Sequence, residues 1–511
     1  MRSKKAVFNT IMSLLLEVVT VISGFILPRL ILSRFGSSYN GVTSSITQFI
    51  GYVSLLTAGV GGVTRASLYK PLQEKDTEKI SAIIKATELF MRRVALIFTI
   101  GLFAFAVLYP FLVLDDFSWF FTFTMVLILG IGTFARYFFG LTYQMVLSAD
   151  QRQYVNVFMR IITTILNILI AYILIKGGFS IHAVKLGSSL VFALNPIYVF
   201  FYVRHKYKII DDIEPDTSAI EQRWDAFAHQ IANFVHNNTD IVILSFFSNV
   251  REISVYTVYY GVSSGIKKII TSVATGIEAA FGNMIAKDEM GALNRNLSIF
   301  EVLIYALSSM LFTTMALLII FFVSIYTHGI TDADYIRPIF GYLIAVVEFF
   351  FCVRIPYQAV ARAAGHYRET RNGAIFEAVL NIVISLALVK SLGLIGITIG
   401  TISAMLFRTL QYSVYVYKNI VHRSLWDIVK RFVVSALNIA AIVFLSSLIK
   451  LNTATTYLEW AVNGFKIFSV ALAVTLAFCY IFYSKEMTDF WRIIRSIAKR
   501  AKGRVKEIPN R

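Results

Sequence analysis

GLTYQMVLSADQRQYVNVFMRIITTILNILIAYILIK, residues 140–176, is answered 214 positions later by RIPYQAVARAAGHYRETRNGAIFEAVLNIVISLALVK, residues 354–390. Tyr143-Gln144 aligns with Tyr357-Gln358, Leu166-Asn167-Ile168 with Leu380-Asn381-Ile382, and Lys176 with Lys390. Carried on to residues 204 and 418, the comparison adds Tyr198 and Tyr412 and stays identical at roughly one position in five without a gap. Chance agreement between apolar segments is the competing explanation, and polar landmarks at one shared offset argue against it. Two similar halves imply two lobes, the construction of many transporters, whose substrate site lies between repeats near mid-membrane.

Composition says what the halves are made of. Of 511 residues 57% are hydrophobic and 15% charged, and the mean hydropathy is +0.69, which excludes a soluble multidomain protein. With 43 Phe and only 8 Pro, the apolar residues fall in long runs that suit helices crossing about 30 Å of hydrocarbon. Barrel strands would alternate in short segments. The first run, Val7 to Leu32, is longer than a signal-peptide core and is expected to be a retained first helix.

Apolar runs centre near residues 20, 53, 100, 132, 165, 193, 238, 270, 311, 350, 381, 406, 439 and 472, which gives about fourteen spans. The expected fold is an all-α integral membrane protein: two parallel-repeat six-helix lobes, 1–208 and 227–420, joined by a cytoplasmic connection, 209–226. Transmembrane helices 13 and 14, within 421–484, fall outside the repeat, and 485–511 is a basic amphipathic tail. An even number of spans per copy makes the copies parallel. The net charge of +18 sits in alternate loops, among them Lys70, Lys75, Lys79, Arg204, Lys206, Arg368 and Arg371. That placement argues for cytoplasmic loops and cytoplasmic termini rather than for nucleic acid. In the tail, Phe490, Ile493, Ile494 and Ile497 alternate with Arg492, Arg495, Lys499 and Arg500. Such a helix suits an anionic membrane leaflet, or simply fixes topology.

Ionisable residues inside the spans are costly, at about 2.5–3.5 kcal/mol each on insertion scales. Glu17, Asp240, Lys267, Glu348 and Arg354 fall near mid-span, with Arg136 and Glu278 farther out. Asn233, His236, Asn237 and Asp240 share one helical face; Tyr260, Ser264, Lys267, Thr271 and Glu278 share another; Ser13, Glu17, Thr20 and Gly24 a third. Whole polar faces call for a hydrated cavity. Interhelical pairing, for example of Asp240 with Lys267, is the structural alternative. The faces are not duplicated: Glu17 corresponds to Ile231 and Lys267 to Val53, so a repeated scaffold carries an asymmetric site.

Enzyme signatures are missing. The seven histidines form no HExxH pair, and neither a phosphate loop nor a nucleophile elbow occurs. Cys352 and Cys479 fall in separate spans and imply neither a disulfide framework nor a metal site. Gly396 and Gly400 suit close helix packing, and the loop carboxylates Asp115, Asp116, Asp332 and Asp334 suit solvated surface.

Pro28-Arg29-Leu30 to Arg34-Phe35-Gly36, followed by Tyr39-Asn40-Gly41-Val42, resembles the start of the polysaccharide transporter family, and Leu147-Ser148-Ala149-Asp150-Gln151-Arg152-Gln153-Tyr154 resembles its helix four-to-five junction. With the span count and the two lobes, this suggests a Wzx-type oligosaccharide flippase, in the superfamily that also holds multidrug exporters and lipid II flippases. The resemblance implies a non-enzymatic transporter in the cell membrane, without cofactor. It would move a polyprenyl-pyrophosphate-linked oligosaccharide outward by alternating access, with polysaccharide-assembly proteins as candidate partners. On that reading Lys267 and Arg354 meet the diphosphate, with Arg29, Arg65 and Arg136 contributing. Asn233, Asn237, Tyr260 and Thr271 line the glycan path, and Asp240, Glu17, Glu348 and Glu278 are available for ion coupling. A lipid II flippase, a cation-coupled drug exporter, a membrane-embedded sugar-modifying enzyme and a non-transporting scaffold are the alternatives.

Overall fold

The computed structural model describes residues 2–52, 60–217, 239–274, 277–449, 454–493 and 495. Within them all regular structure is helical, with no strand. The first half contributes α1 (Arg2–Phe35), α2 (Ser37–Tyr52), α3 (Val60–Glu74), α4 (Thr77–Leu108), α5 (Trp119–Ala135), α6 (Leu141–Ala149), α7 (Gln153–Lys176) and α8 (Ile181–Tyr207). Then follow α9 (Val250–Ala274), α10 (Ile277–Ala286), α11 (Met290–Tyr326), α12 (Pro338–Val353), α13 (Ile355–Ala363), α14 (Tyr367–Leu392), α15 (Leu394–Asn419), α16 (Trp426–Ser447) and α17 (Tyr457–Phe482). Eleven helical stretches among the described residues are long and apolar enough to cross a membrane. They coincide with eleven of the expected spans; those centred near 53 and 238 run into residues outside the described set, 53–59 and 218–238, and the one near 270 falls on α9, whose stripe of Lys267, Lys268, serines and threonines dilutes its hydropathy. The protein is a multi-pass membrane protein.

Local signals set the helix ends. Asp76, Ser118 and Ser180 each accept a backbone N–H from the first turn of α4, α5 and α8, and Thr456 with Glu459 forms a reciprocal capping box on α17. The duplication is visible in the boundaries. Leu141–Ala149 returns as Ile355–Ala363, 214 positions on at both ends, and α7 and α14 start at that same offset. The landmark tyrosines do equivalent work. Tyr143 and Tyr357 are both fully buried; the first donates to Glu88 on α4 at 2.5 Å, and the second is hydrogen-bonded, hydroxyl to hydroxyl, to Tyr305 on α11 at 3.2 Å.

Two compact units emerge from packing: Met1–Thr257 with Gly329–Asp334, and Val258–His328 with Tyr335–Arg511. In the first, α7 packs on α1 and α8, and α5 on α8. Its apolar core joins Val42, Ile46, Phe98, Met125 and Tyr137, all nearly inaccessible. The described part of the 209–226 segment lies along the start of α4: Ile210 N–H donates to Ser81 Oγ at 3.1 Å, and Lys85 Nζ to the Asp211 carbonyl at 3.1 Å. Asp332 is not a free surface carboxylate. It accepts both the backbone N–H and the hydroxyl of Ser37, each at 2.6 Å, and so caps α2 from a loop 295 residues away in sequence.

In the second unit α14 lies along α15, α12 packs on α11 and α15, and α16 and α17 both pack on α11. Gly396 and Gly400 do face α14, against Leu388 and Ser385. A buried ionic knot ties α16 in place. Glu301 on α11 is wholly buried and meets Arg431 at 2.6 Å and Arg423 at 3.3 Å, while Tyr417 donates to it at 3.0 Å. Each partner is needed, because an unpaired carboxylate at that depth would be prohibitively costly.

Candidate functional site

The second unit holds a continuous row of charge. Lys267 on α9 reaches Glu348 on α12, with Nζ to Oε1 at 2.9 Å. The ring of Phe351 follows one turn along α12, its centroid 4.7 Å from the ammonium of Lys267 and 5.0 Å from the guanidinium of Arg354. Arg354 pairs with Glu377 on α14 at 2.7 Å, and the second oxygen of Glu377 takes Arg408 of α15 at 3.3 Å. Arg408 stacks over Tyr412, 4.1 Å from the ring centroid. Two carboxylates thus serve three cations, all of them largely or fully withdrawn from the surface.

The sequence builds this row in identifiable ways. Arg354 occupies the joint between α12 and α13, and Pro356 opens α13, where a missing N–H is harmless. Gly373 is the reason Arg408 can lie flat on α14, since a Cβ there would collide with its guanidinium. Arg408 also donates to the Thr370 carbonyl at 2.9 Å and to the Tyr412 hydroxyl at 2.9 Å, so its charge is held rather than stranded. Phe351 acts as an apolar spacer whose faces attract both neighbouring cations.

Of the residues singled out from sequence, Lys267, Glu348 and Arg354 come together here. Tyr260 joins them through its ring, 5.3 Å from Lys267 Nζ. Thr271 lies one turn beyond Lys267 and donates to the Lys268 carbonyl at 3.1 Å. Glu278 is a half-exposed neighbour of Arg362 at 3.9 Å. Asp240 belongs to the first unit and accepts from the Tyr256 hydroxyl at 3.0 Å, so the pairing considered for it with Lys267 gives way to Tyr256 and Glu348 as the respective partners. Arg65 is exposed and folds back on the Gly61 carbonyl at 2.9 Å. Arg29 is half-buried in α1, and Glu17 exposed on it. Arg136 opens a π-helical turn, Arg136–Gly140, between α5 and α6. Asn233 and Asn237 lie outside the described residues.

Glu377, Arg408 and the Glu301 knot do not stand out in the sequence by spacing or motif. Glu377 replaces Thr163 of the first copy and Arg408 replaces Leu194, so charge gained by one repeat only is the available signal.

No protein-family profile matches the chain, and no curated protein matches it. Solved structures do. "Lipid II flippase MurJ, inward closed conformation" superposes with a TM-score of 0.71 at 15% identity, covering 94% of this chain and all of the other. An inward-facing multidrug resistance MATE family transporter of the MOP superfamily gives 0.62 at 14% identity, covering 78% of this chain and 95% of that one. The Vibrio cholerae MATE transporter VcmN, in a point-mutant form, gives 0.55 at 12% identity over 82% of this chain and 99% of its own. The chain therefore has the fold seen in transporters of the MOP superfamily.

Proposed function

We propose that the protein is a flippase that carries a polyprenyl-pyrophosphate-linked oligosaccharide across the cell membrane by alternating access of its two halves. The observation that carries this reading is the buried row of Lys267, Arg354 and Arg408 with one cation more than its carboxylates neutralise. Excess positive charge within membrane-spanning helices suits an anionic substrate, and the fold is one that moves lipid-linked and amphipathic molecules in other proteins. The diphosphate replaces Glu348 as the partner of Lys267 and shares Arg354 with Glu377; exchange of one anion for another avoids stranding a bare cation. Arg29, Arg65 and Arg136 contribute along the path. Tyr260, Thr271, Asn233 and Asn237 meet the glycan, and the released Glu348, with Asp240, Glu17 and Glu278, is available for ion coupling. Both termini face the cytoplasm; the basic tail, whose residues 494 and 496–511 lie outside the described set, is suited by its sequence to anionic lipids.

Two other readings keep the same fold. The lipid II flippase structure superposes over 94% of this chain, which favours a lipid-linked substrate whatever its glycan. A multidrug exporter fits the MATE structures. The test is the identity of lipids that co-purify with the protein, read by native mass spectrometry, together with export in a Lys267→Ala, Arg354→Ala double variant. A polyprenyl-diphosphate glycan lost in the variant supports the proposal. A bound lipid II selects the second reading, and unchanged export in the variant removes the mechanism.

A further inference from the structure

The first unit holds a separate half-open cavity of about 500 Å³. It lies among α1, α5, α6, α7 and α8, and its charged lining is Arg136 and Arg160, with Gln144 between them in sequence as a neutral donor. No carboxylate lines it. Neither guanidinium makes a hydrogen bond or ion pair among the described residues; the one acidic group whose field reaches Arg160 is Glu17, outside the lining. Two cations so close repel each other, and Arg136 does act electrostatically on Arg160. Both arginines are exposed, and an anion entering the cavity offsets their repulsion.

The remaining lining cannot supply the compensation. Thr163 and Thr164 spend their hydroxyl protons on the carbonyls of Met159 and Arg160, at 3.0 and 2.7 Å. Asn195 gives its amide to the Asn156 carbonyl at 3.2 Å. Donors left over are the guanidiniums, Gln144 and the hydroxyls of Thr20 and Ser23. Backbone geometry aims one of them: Arg136 begins the π-turn, whose widened hydrogen bond runs from Leu141 N–H to the Arg136 carbonyl. Such insertions in a helix recur where a side chain is re-aimed for function.

We infer that this cavity is an anion-binding site in which Arg136 and Arg160 together hold a phosphoryl group. Forked guanidinium donors match phosphate oxygens, and two of them suit a group with several equivalent oxygens better than a single carboxylate. The site is complete within one unit and uses no residue of the Lys267–Arg354 row; since Arg136 also stands on the proposed transport path, a diphosphate occupant rests on that reading and a phospholipid occupant does not. The phosphoryl group belongs either to a membrane phospholipid or to a diphosphate.

The test uses the full chain in phosphatidylcholine nanodiscs, titrated with inorganic pyrophosphate by calorimetry, alongside Arg136→Gln, Arg160→Gln, the double variant, Arg160→Lys and, as a surface control, Lys70→Gln. Expected is saturable binding at this site that weakens at least about tenfold in each Arg→Gln variant, survives in part in Arg160→Lys, and is unchanged in Lys70→Gln. A second arm counts phosphatidylglycerol retained from mixed nanodiscs by native mass spectrometry. Arginine-dependent retention that pyrophosphate displaces identifies a lipid head group, and arginine-dependent pyrophosphate binding without retained lipid identifies a diphosphate. If the double variant does not fold, Arg160→Lys against the unaltered chain decides. Failure of the unaltered chain to bind either probe, equal binding in the double variant, or loss of binding in Lys70→Gln overturns the inference.

Discussion

Asn40 donates from Nδ2 to Ser254 Oγ at 2.8 Å, and the two residues stand 214 positions apart, the repeat length itself. Each is the other's image in the duplication, and here image touches image at the crossing of α2 with the start of α9. The neighbouring Gly41 makes the crossing close, since a Cβ at that position would overlap the Val250 carbonyl.

Gly41→Ala is expected to cost more than Asn40→Ala. Overpacking against a backbone carbonyl has no cheap relaxation and should destabilise by about 1–3 kcal/mol. Loss of the Asn40 amide removes a hydrogen bond worth about 1 kcal/mol. Thermal unfolding of the two variants in detergent ranks them, and the reverse order would show that the helices are not held this close.

The Lys267–Glu348 pair is expected to be replaceable for folding and not for transport. Lys267→Ala alone leaves a buried carboxylate and should destabilise by about 3–5 kcal/mol. The exchange Lys267→Glu with Glu348→Lys restores a pair and should recover most of that. Export, assayed in cells, should stay low in the exchanged protein because the cation now sits on α12; full recovery would make the pair purely structural.

Asp332→Ala should lower stability by about 1 kcal/mol through loss of the cap on α2, and Asp332→Asn by less, since its amide oxygen still accepts from Ser37. Hydrogen exchange at the first turn of α2 reports the cap directly. Unaltered protection there in Asp332→Ala would mean that the carboxylate is dispensable.

Glu301→Gln should loosen α16 and destabilise by about 3–5 kcal/mol, because Arg431 and Arg423 then lack their shared anion. Limited proteolysis in the loop between α15 and α16 should accelerate. A double variant, Glu301→Leu with Arg431→Met, should recover part of the loss.

The hydrogen bond and charge of Arg204 hold the Asp211 carboxyl below its ordinary value of 3.8. A depressed carboxyl contributes stability in full above its unfolded value and loses it as the pH falls through the folded one. Anchoring of the 209–217 segment to the end of α8 should therefore be constant from neutral pH down to the ordinary carboxyl range and weaken below it. Asp211→Asn should abolish that acid dependence, followed by proteolysis of the segment across pH; a persistent dependence would point to another group.

Much of the fold is legible in the sequence because hydropathy integrates over whole helices: eleven spans fall where apolar runs lie, and Tyr143 and Tyr357 mark the repeat that the helix bounds follow. The site is legible only in part. Lys267, Glu348 and Arg354 stand out in apolar runs, yet their partners are set by packing across 81 residues in one case and 23 in the other. Glu301 and Arg431 carry no spacing or motif that marks them in sequence, and only tertiary structure turns them into a mutual requirement. Asp332 reads as solvated loop charge for the same reason, since a cap supplied from 295 residues away leaves no local pattern.

The unequal row of cations and carboxylates in the second unit also has an electrical meaning. A group of side chains with one uncompensated elementary charge, carried even part-way through the bilayer during a transport cycle, does work against the membrane potential of up to about 2.3 kcal/mol per 100 mV. On the proposed function, an incoming diphosphate with two negative charges would reverse the sign of what moves. Turnover should then respond to voltage in opposite senses when the loaded and the empty protein reorient, which would let the resting potential itself set the direction of the cycle.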